Sequence, residues 1–175
     1  ITVDDVLKSP MIADPLRLLD CSPITDGAAA VILASEKAAK KFENPVWVLG
    51  SGQASDTLAL HSRKSLTEIP STQIAARKAY KQAGVKPDNI HVAEGKGKEL
   101  LLNKEVMIGG RIPVNTDGGL KMGHPVGATG IKQIVEIVKQ LRGEAYNQVK
   151  NAKIGLTHNI GGSGASCLVH IFGRE

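Results

Sequence analysis

Two glycine-rich segments hold the residues of this sequence that could do chemistry. The first, residues 118–130, contains His124 followed by Pro125 and leads into a long helical pattern. A helix N-terminus offers unpaired N–H groups and a partial positive charge. A neutral histidine there could take a proton from a nucleophile or donate a hydrogen bond to a developing oxyanion. A turn whose histidine only faces water is the alternative, and spacing alone leaves both open.

The second segment, residues 158–165, reads His-Asn-Ile-Gly-Gly-Ser-Gly-Ala and follows a strand pattern. Consecutive glycines can direct backbone N–H groups into a cavity, which is the geometry of an oxyanion hole. No Gly-Lys-Ser/Thr follows, which excludes a P-loop, and the segment leads into a strand, which excludes the dinucleotide fingerprint. A simple hairpin turn is the alternative interpretation.

The other histidines and the cysteines are weaker candidates. His91 and His170 alternate with apolar strand residues, His61 lies in a polar stretch, and no pair has the spacing of zinc ligands. Cys21 has no adjacent base, and Cys167 is expected to be a small core residue. From the residues alone we therefore predict one catalytic histidine and one oxyanion loop, with no metal site and no nucleophile.

The composition excludes several classes of protein. The chain has 175 residues, of which 42% are apolar, so it can bury a core and is not intrinsically disordered. Its net charge is +5, its Lys and Arg residues are scattered along the sequence, and only 3% of its residues are aromatic. This composition argues against nucleic-acid binding and suits an anionic small ligand. No apolar run reaches the roughly 18 residues of a membrane span. Two cysteines make no disulfide framework, so we expect a reducing, cytoplasmic location.

Alternating helices and strands must position the two glycine-rich segments. Residues 127–141 form the clearest helix, because their apolar positions define one stripe: Ile131, Ile134, Val135, Val138 and Leu141. A second helix begins at Ser71 or Thr72 and ends at Gly84. Strands are predicted at residues 46–50, 90–94, 153–157 and 166–172, a loop at 51–70, and either a buried strand or a helix at 28–33. This order predicts an α/β layered sheet with one antiparallel edge.

Several of these segments together resemble the C-terminal half of a thiolase. The matching motifs are residues 26–30, 115–119, 123–130 and 161–164. Residues 13–16, 52–56 and 158–162 are similar, more narrowly, to the sterol-carrier-protein-x-type and archaeal acetoacetyl-CoA thiolase branch. The resemblance runs along essentially the whole chain.

The resemblance implies a particular fold and division of the chain. Thiolases combine two similar halves in a five-layered α-β-α-β-α arrangement with a loop domain that covers CoA. Residues 1–25 would then close the loop domain, and residues 26–44 would supply the last strand and helix of the first half. Residues 45–175 would form the C-terminal domain around a mixed five-stranded sheet.

The resemblance also implies roles for individual residues. In the family, the Gly-His-Pro histidine activates the nucleophilic cysteine and helps to bind the thioester oxygen, which assigns that role to His124. The terminal Cys-x-Gly segment supplies a second oxyanion contact through its glycine N–H, which corresponds to Gly161, and Asn159 replaces its cysteine. Substrate-binding positions on the same basis are Ser22, which matches a contact to the CoA pantetheine, Gly123 and Gly162.

Two departures from the family pattern affect this assignment. Relatives in the sterol-carrier branch take an acid/base cysteine from a loop after the strand that ends at Glu94, whereas here Glu94 runs directly into Gly95. The nucleophilic cysteine belongs to the first half of the family fold, which precedes residue 1. We therefore expect that a segment is missing after residue 94, with a Glu94–Gly95 Cα separation far above about 3.8 Å.

The resemblance implies an acyltransferase that carries out Claisen condensation or thiolysis of acetoacetyl-CoA or another 3-ketoacyl-CoA. It requires no cofactor beyond the coenzyme A thioester substrate. A homo-oligomer formed through the first half is expected, and a small OB-fold or zinc-ribbon partner is possible in such systems. The alternatives are a thiolase-like retro-aldolase acting on a sterol side chain and a non-catalytic acyl-CoA-binding scaffold subunit.

Overall fold

The computed structural model of the protein describes residues 1–94 and 103–174. The predicted break between Glu94 and Gly95 involves a residue outside these ranges. Among the described residues, no helix is both long enough and apolar enough to cross a membrane.

Helices and strands alternate along the described chain. The α-helices are α1 (Val3–Lys8), α2 (Glu36–Ala39), α3 (Pro70–Ala83), α4 (Gly119–Met122) and α5 (Thr129–Arg142). The strands are β1 (Met11–Ala13), β2 (Leu16–Arg17), β3 (Trp47–Ser55), β4 (Val92–Glu94), β5 (Ile154–Gly161) and β6 (Ser166–Gly173). A capping box between Thr2 and Asp5 begins α1, and Gly84 ends α3 in the left-handed conformation.

The main sheet confirms the predicted layered α/β fold and corrects its details. Its strand order is β3-β6-β5-β4, with β4 parallel to β5 and β6 antiparallel to both of its neighbours. The antiparallel strand, β6, therefore lies inside the sheet and not at the predicted edge, because β3 pairs with the side of β6 that faces away from β5. Among the described residues the main sheet has four strands where five were predicted, and beside β4 there is a single parallel bridge between Ala93 and Val114.

Helix α3 packs closely on one face of the sheet. A Cβ at Gly50 or Gly52 would lie only 2.2 Å or 1.9 Å from the backbone oxygens of Ala79 and Ala75, so only glycine fits at these β3 positions. This explains why β3 continues to Ser55, where the sequence predicted a loop from residue 51. Glycines have low strand propensity, and here tertiary packing decides the conformation.

Helix α5 covers the opposite face. Its fully buried apolar residues are Ile137 and Leu141, which pack with Val92 and Phe172. The apolar stripe predicted from the sequence included Leu141 but not Ile137. Its other members are only partly buried, so the stripe does not coincide with the face of α5 that packs on the sheet. The partly buried residues Val135 and Val138 line a cavity of about 1180 Å³.

Residues 28–33 differ from their prediction as a buried strand or a helix. They form neither element, and Ile32 and Leu33 are 91% and 84% exposed. The physical reason is that no strand among the described residues pairs with this segment. A short helix follows it, and Ser35 caps that helix by accepting a hydrogen bond from the Ala38 N–H.

Candidate active site

The loop before α5 fixes the ring of His124. His124 is partly buried, and its Nδ1 lies 2.7 Å from Thr129 Oγ1. The Thr129 hydroxyl donates its proton to the Pro125 carbonyl at 3.1 Å. A hydroxyl has one proton, so Thr129 accepts from the Nδ1–H of a neutral His124. This assignment leaves the lone pair on Nε2 free to act as a base.

Asn159 reaches the same turn of helix from the sheet. A Cβ added at Gly130 would lie 2.6 Å from Asn159 Nδ2, so the absence of a side chain at Gly130 is what admits the amide. Gly130 directly follows Thr129, the hydrogen-bond partner of His124. Two residues from the two separate glycine-rich segments therefore meet at the first turn of α5.

The first turn of α5 gives this meeting point a positive electrostatic character. The helix has 14 residues, and its first N–H groups have no partner within the helix. A helix N-terminus carries a partial positive charge that stabilises nearby anions. With the His124 ring and the Asn159 amide beside it, the arrangement can bind an oxygen on which negative charge develops.

Gly161 and Gly162 form the turn that follows Asn159. The Gly161 carbonyl accepts from the Gly164 N–H at 3.3 Å, and Gly162 and Gly164 have φ values of 58° and 97°. Because side chains alternate along a strand, Asn159 and Gly161 belong to the same face of β5. That Gly161 binds the oxyanion through its N–H stays a prediction.

Gly123, in the loop that carries His124, is buried against residues 25–29, which we call the N-terminal segment. A Cβ at Gly123 would lie 3.2 Å from Thr25 Cγ2, and one at Gly27 would lie 3.1 Å from Pro125 Cγ. Residues 25–29 and 125–128 line a shallow, open depression of about 400 Å³ at this contact. The N-terminal segment therefore lies directly against the loop that carries His124.

Ser22 is exposed near the same loop. Lys121 Nζ donates to the carbonyl of Cys21 at 2.6 Å and also to the carbonyl of Leu19, which fastens this segment to α4. Within the described ranges, no hydrogen bond joins Ser22 to His124 or Asn159. That Ser22 binds the substrate stays a prediction.

A polar stripe on α5 was missed by the sequence analysis. Lys132 forms an ion pair with Asp117, and Glu136 accepts from the Thr116 hydroxyl at 2.7 Å. Gln140 donates to both Thr116 and Glu136, at 3.0 and 2.8 Å. Polar residues at i, i+4 and i+8 in an otherwise apolar helix are the signal that could have revealed this stripe. The stripe holds the loop that leads to His124.

The remaining candidates have structural surroundings. His158 Nε2 lies 3.0 Å from Thr72 Oγ1 and 3.1 Å from the sulfur of Cys167, which is fully buried. His91 Nδ1 accepts from the Ile154 N–H at 3.3 Å. Burial lowers the pKa of His170 below its ordinary value. The described part of the chain contains no group of three or more His, Cys, Asp or Glu residues that could hold a metal ion.

Comparison with known proteins identifies the C-terminal part of the chain. Residues 91–174 match the family described as thiolase C-terminal domain-like. The chain is 48% identical to the acetyl-CoA acetyltransferase of Methanothermobacter thermautotrophicus, over 99% of this chain and 52% of that protein. It is 35% identical to sterol carrier protein 2 of Homo sapiens, over 94% of this chain and 35% of that protein. The chain thus spans about half the length of its archaeal relative, or less of other relatives.

Solved structures share the fold. The Ltp2-ChsH2(DUF35) aldolase matches 99% of this chain and 51% of its own, with a TM-score of 0.80 and 24% identity. The acetyl-CoA acetyltransferase of Bacillus anthracis matches 100% of this chain and 43% of its own, with a TM-score of 0.70 and 19% identity. Family model, relatives and fold agree with the resemblance seen in the motifs. Residues 91–174 are a thiolase C-terminal domain, and the chain belongs to the thiolase superfamily.

Proposed function

We propose that the full protein is a thiolase, an acetyl-CoA C-acyltransferase that condenses two acetyl-CoA molecules or cleaves acetoacetyl-CoA or another 3-ketoacyl-CoA. The observation that carries this proposal is that two residues from the separate glycine-rich segments reach adjacent positions in the first turn of α5: His124 bonds to Thr129, and Asn159 lies against Gly130. The archaeal relatives are named acetyl-CoA acetyltransferases, which supports the same reaction. Coenzyme A thioesters are the substrates, and no other cofactor takes part.

In the condensing direction, a cysteine from the half of the fold outside this chain attacks the thioester carbonyl of acetyl-CoA. His124 Nε2 takes the thiol proton, the new C–S bond forms, and the bond to the CoA sulfur breaks. The same proton then passes to the CoA thiolate. The enolate of a second acetyl-CoA displaces the cysteine thiolate from the acyl carbon, and the base that forms this enolate belongs to the segment expected after Glu94.

The negative charge in each step develops on a thioester oxygen. The Asn159 amide and the N–H groups of the glycine turn are the donors that would stabilise it, and the His124 ring joins them through Nε2 while it holds the thiol proton. Asn159 cannot carry a proton as a thiolate does, so its role is to donate a hydrogen bond and not to act as a base. Gly123, Gly162 and Ser22 would shape the path of the substrate.

The division of the chain is part of the proposal. Residues 1–25 would close a loop domain over CoA, and residues 26–44 would complete the first half of the fold, where the exposed Ile32 and Leu33 gain partners. The alignment with the archaeal relative extends over 198 positions, more than the 175 residues here, which supports a missing segment. A homo-oligomer and a cytoplasmic location complete this picture.

A second function is retro-aldol cleavage of a sterol side-chain thioester. The observation that favours it is the TM-score of 0.80 with an aldolase whose name includes a DUF35 subunit, which would correspond to the small OB-fold or zinc-ribbon partner. The sterol carrier relatives point the same way. A scaffold subunit without activity is the third alternative.

The full-length protein distinguishes these functions. Incubation with acetoacetyl-CoA and free CoA should yield two molecules of acetyl-CoA, and an acetyl group should appear on one cysteine by intact-protein mass spectrometry. Aldol cleavage of a β-hydroxyacyl-CoA without thiolysis would favour the second function. Neither reaction, with CoA esters still bound, would favour the scaffold.

A further inference from the structure

The glycine turn after β5 is held by a loop about 100 residues away in sequence. Arg63 Nη1 donates to the Ser163 carbonyl at 2.6 Å, and its Nη2 donates to the Thr57 carbonyl at 3.1 Å. The two amino groups of one planar guanidinium thus join the glycine turn to the loop after β3. Because the guanidinium is planar, two bonds of this kind fix both the distance between the two carbonyls and the direction in which each one points.

Two neighbouring carbonyls of the turn are bound from the same region. The Ser71 hydroxyl, which is fully buried, donates to the Gly164 carbonyl at 2.8 Å. The Asp56 N–H donates to the Ala165 carbonyl at 2.8 Å. With the bond from Arg63, three consecutive carbonyls from Ser163 to Ala165 are held.

Fixing these carbonyls also fixes the amides that follow them. A trans peptide is planar, with its C=O and N–H pointing in opposite directions. Holding the Ser163 carbonyl therefore orients the Gly164 N–H, which donates to the Gly161 carbonyl at 3.3 Å and closes the turn. Without such bonds, glycines with positive φ would sample many conformations. The turn would then lose the orientation that an oxyanion hole requires.

The surroundings of Arg63 indicate a specific role. Both amino groups lie 3.4 Å from the position that a Cβ at Gly164 would occupy, so the guanidinium and the bare glycine fit against each other. Arg63 is only partly exposed, and its side chain forms no ion pair among the residues that the structure describes. A guanidinium that is withdrawn from water without a carboxylate carries a desolvation cost, which its backbone partners offset in part.

We propose that Arg63 is a positioning residue that sets the conformation of the Gly161–Gly164 turn and thereby the orientation of its amide groups. Its effect on the rate rests on the proposed acyl-transfer function, whereas its effect on the turn does not. Ser71, the Asp56 N–H and the Ser163 hydroxyl, which donates to the Leu58 carbonyl at 3.1 Å, act with it. Among the described residues, Arg63 is the side chain that donates to both the turn and the loop.

The test uses the full-length protein with Arg63→Gln, which removes the charge and the fork, and Arg63→Lys, which keeps only the charge. Arg77→Gln is the matched control, since Arg77 is exposed on α3. Hydrogen exchange measured by mass spectrometry should accelerate in peptides covering residues 160–166 in both Arg63 variants. Exchange in α5 and in the control should stay unchanged.

Kinetics provide a second readout. In both Arg63 variants kcat for thiolysis should fall about 10- to 100-fold, the scale of a misplaced active-site group, while KM for CoA changes less than about twofold. In a third variant, Arg63→Ala, the truncated side chain leaves space for free guanidinium ion, which should restore part of kcat there but not in Arg63→Gln.

The outcomes separate the two proposals. Unchanged exchange of the turn in Arg63→Gln and Arg63→Lys would overturn the positioning role, as would an equal acceleration across the whole sheet. A wild-type protein without thiolysis, whose turn nevertheless loosens in the Arg63 variants, would overturn the proposed function and leave the positioning role supported.

Discussion

His124 and Thr129 form a 2.7 Å hydrogen bond that determines which nitrogen of the imidazole carries the proton. The threonine hydroxyl is already a donor to Pro125, so the Nδ1–H of His124 points toward it and Nε2 faces away. The hydroxyl of Thr129, the first residue of α5, thus orients the His124 ring so that Nε2 can act as a base. Removing the hydroxyl should therefore affect catalysis more than folding.

We predict that Thr129→Val lowers kcat for thiolysis about tenfold or more. Valine keeps the size of threonine but loses the acceptor, and the His124 ring then loses its orientation. Thr129→Ser retains the hydroxyl and should stay close to the wild-type rate. Equal losses in the valine and serine variants would show that packing, and not the hydroxyl, matters.

His124→Ala should reduce turnover of acetoacetyl-CoA at least about 10²–10³-fold, the typical cost of losing one oxyanion donor. The loss of its proton-transfer role should add to this. His61→Ala is the control, because His61 is exposed in a different loop. Steady-state thiolysis by the full-length protein measures both variants, and an unchanged rate in His124→Ala would remove this residue from the mechanism.

Gly130→Ala should impair catalysis with little loss of stability. The new Cβ would lie 2.6 Å from Asn159 Nδ2, the far end of a flexible side chain that can move away. Displacement of the amide should then lower kcat as much as Asn159→Ala does. The double variant should be no slower than either single variant, since residues that act on one contact are not additive. Additive losses in this cycle would contradict a shared role.

The sequence is sufficient to predict the elements whose signals are local. The capping box of Thr2 and Asp5, the Gly84 helix end and the terminal hairpin all depend on neighbouring residues, and the structure contains each of them. His124 at the entrance to α5 is local in the same sense. These features need no knowledge of which segments pack together.

The rest depends on contacts between distant segments. β3 continues through Gly52 because α3 packs there, although glycine disfavours strands. The approach of Asn159 to Gly130 and the reach of Arg63 to Ser163 join residues 29 and 100 positions apart, and no periodicity marks them. The two glycine-rich segments of the candidate site were thus predictable as motifs, but the contacts that bring them together were not.

Gly52→Ala should destabilise the protein by at least about 2 kcal/mol, toward the upper end of the cost of overpacking. The added Cβ would lie 1.9 Å from the Ala75 carbonyl oxygen, and helix backbone cannot move aside as a side chain can. Gly127→Ala is the control, because a Cβ there has no atom within 4 Å. Urea midpoints of both variants measure the difference, and similar midpoints would contradict the close packing of α3 on β3.

Stability should also decrease as the pH falls below about 6.5, the ordinary pKa of histidine. Burial lowers the pKa of His170 in the folded protein, so the unfolded chain binds its proton more readily. Above the unfolded pKa the ring is neutral in both states and contributes nothing. As the pH falls toward the lowered folded pKa, proton uptake by the unfolded chain favours unfolding. His170→Gln should flatten the decline of the urea midpoint between about pH 7 and 5, whereas His61→Gln should not; an equally steep decline in His170→Gln would assign the effect to other groups.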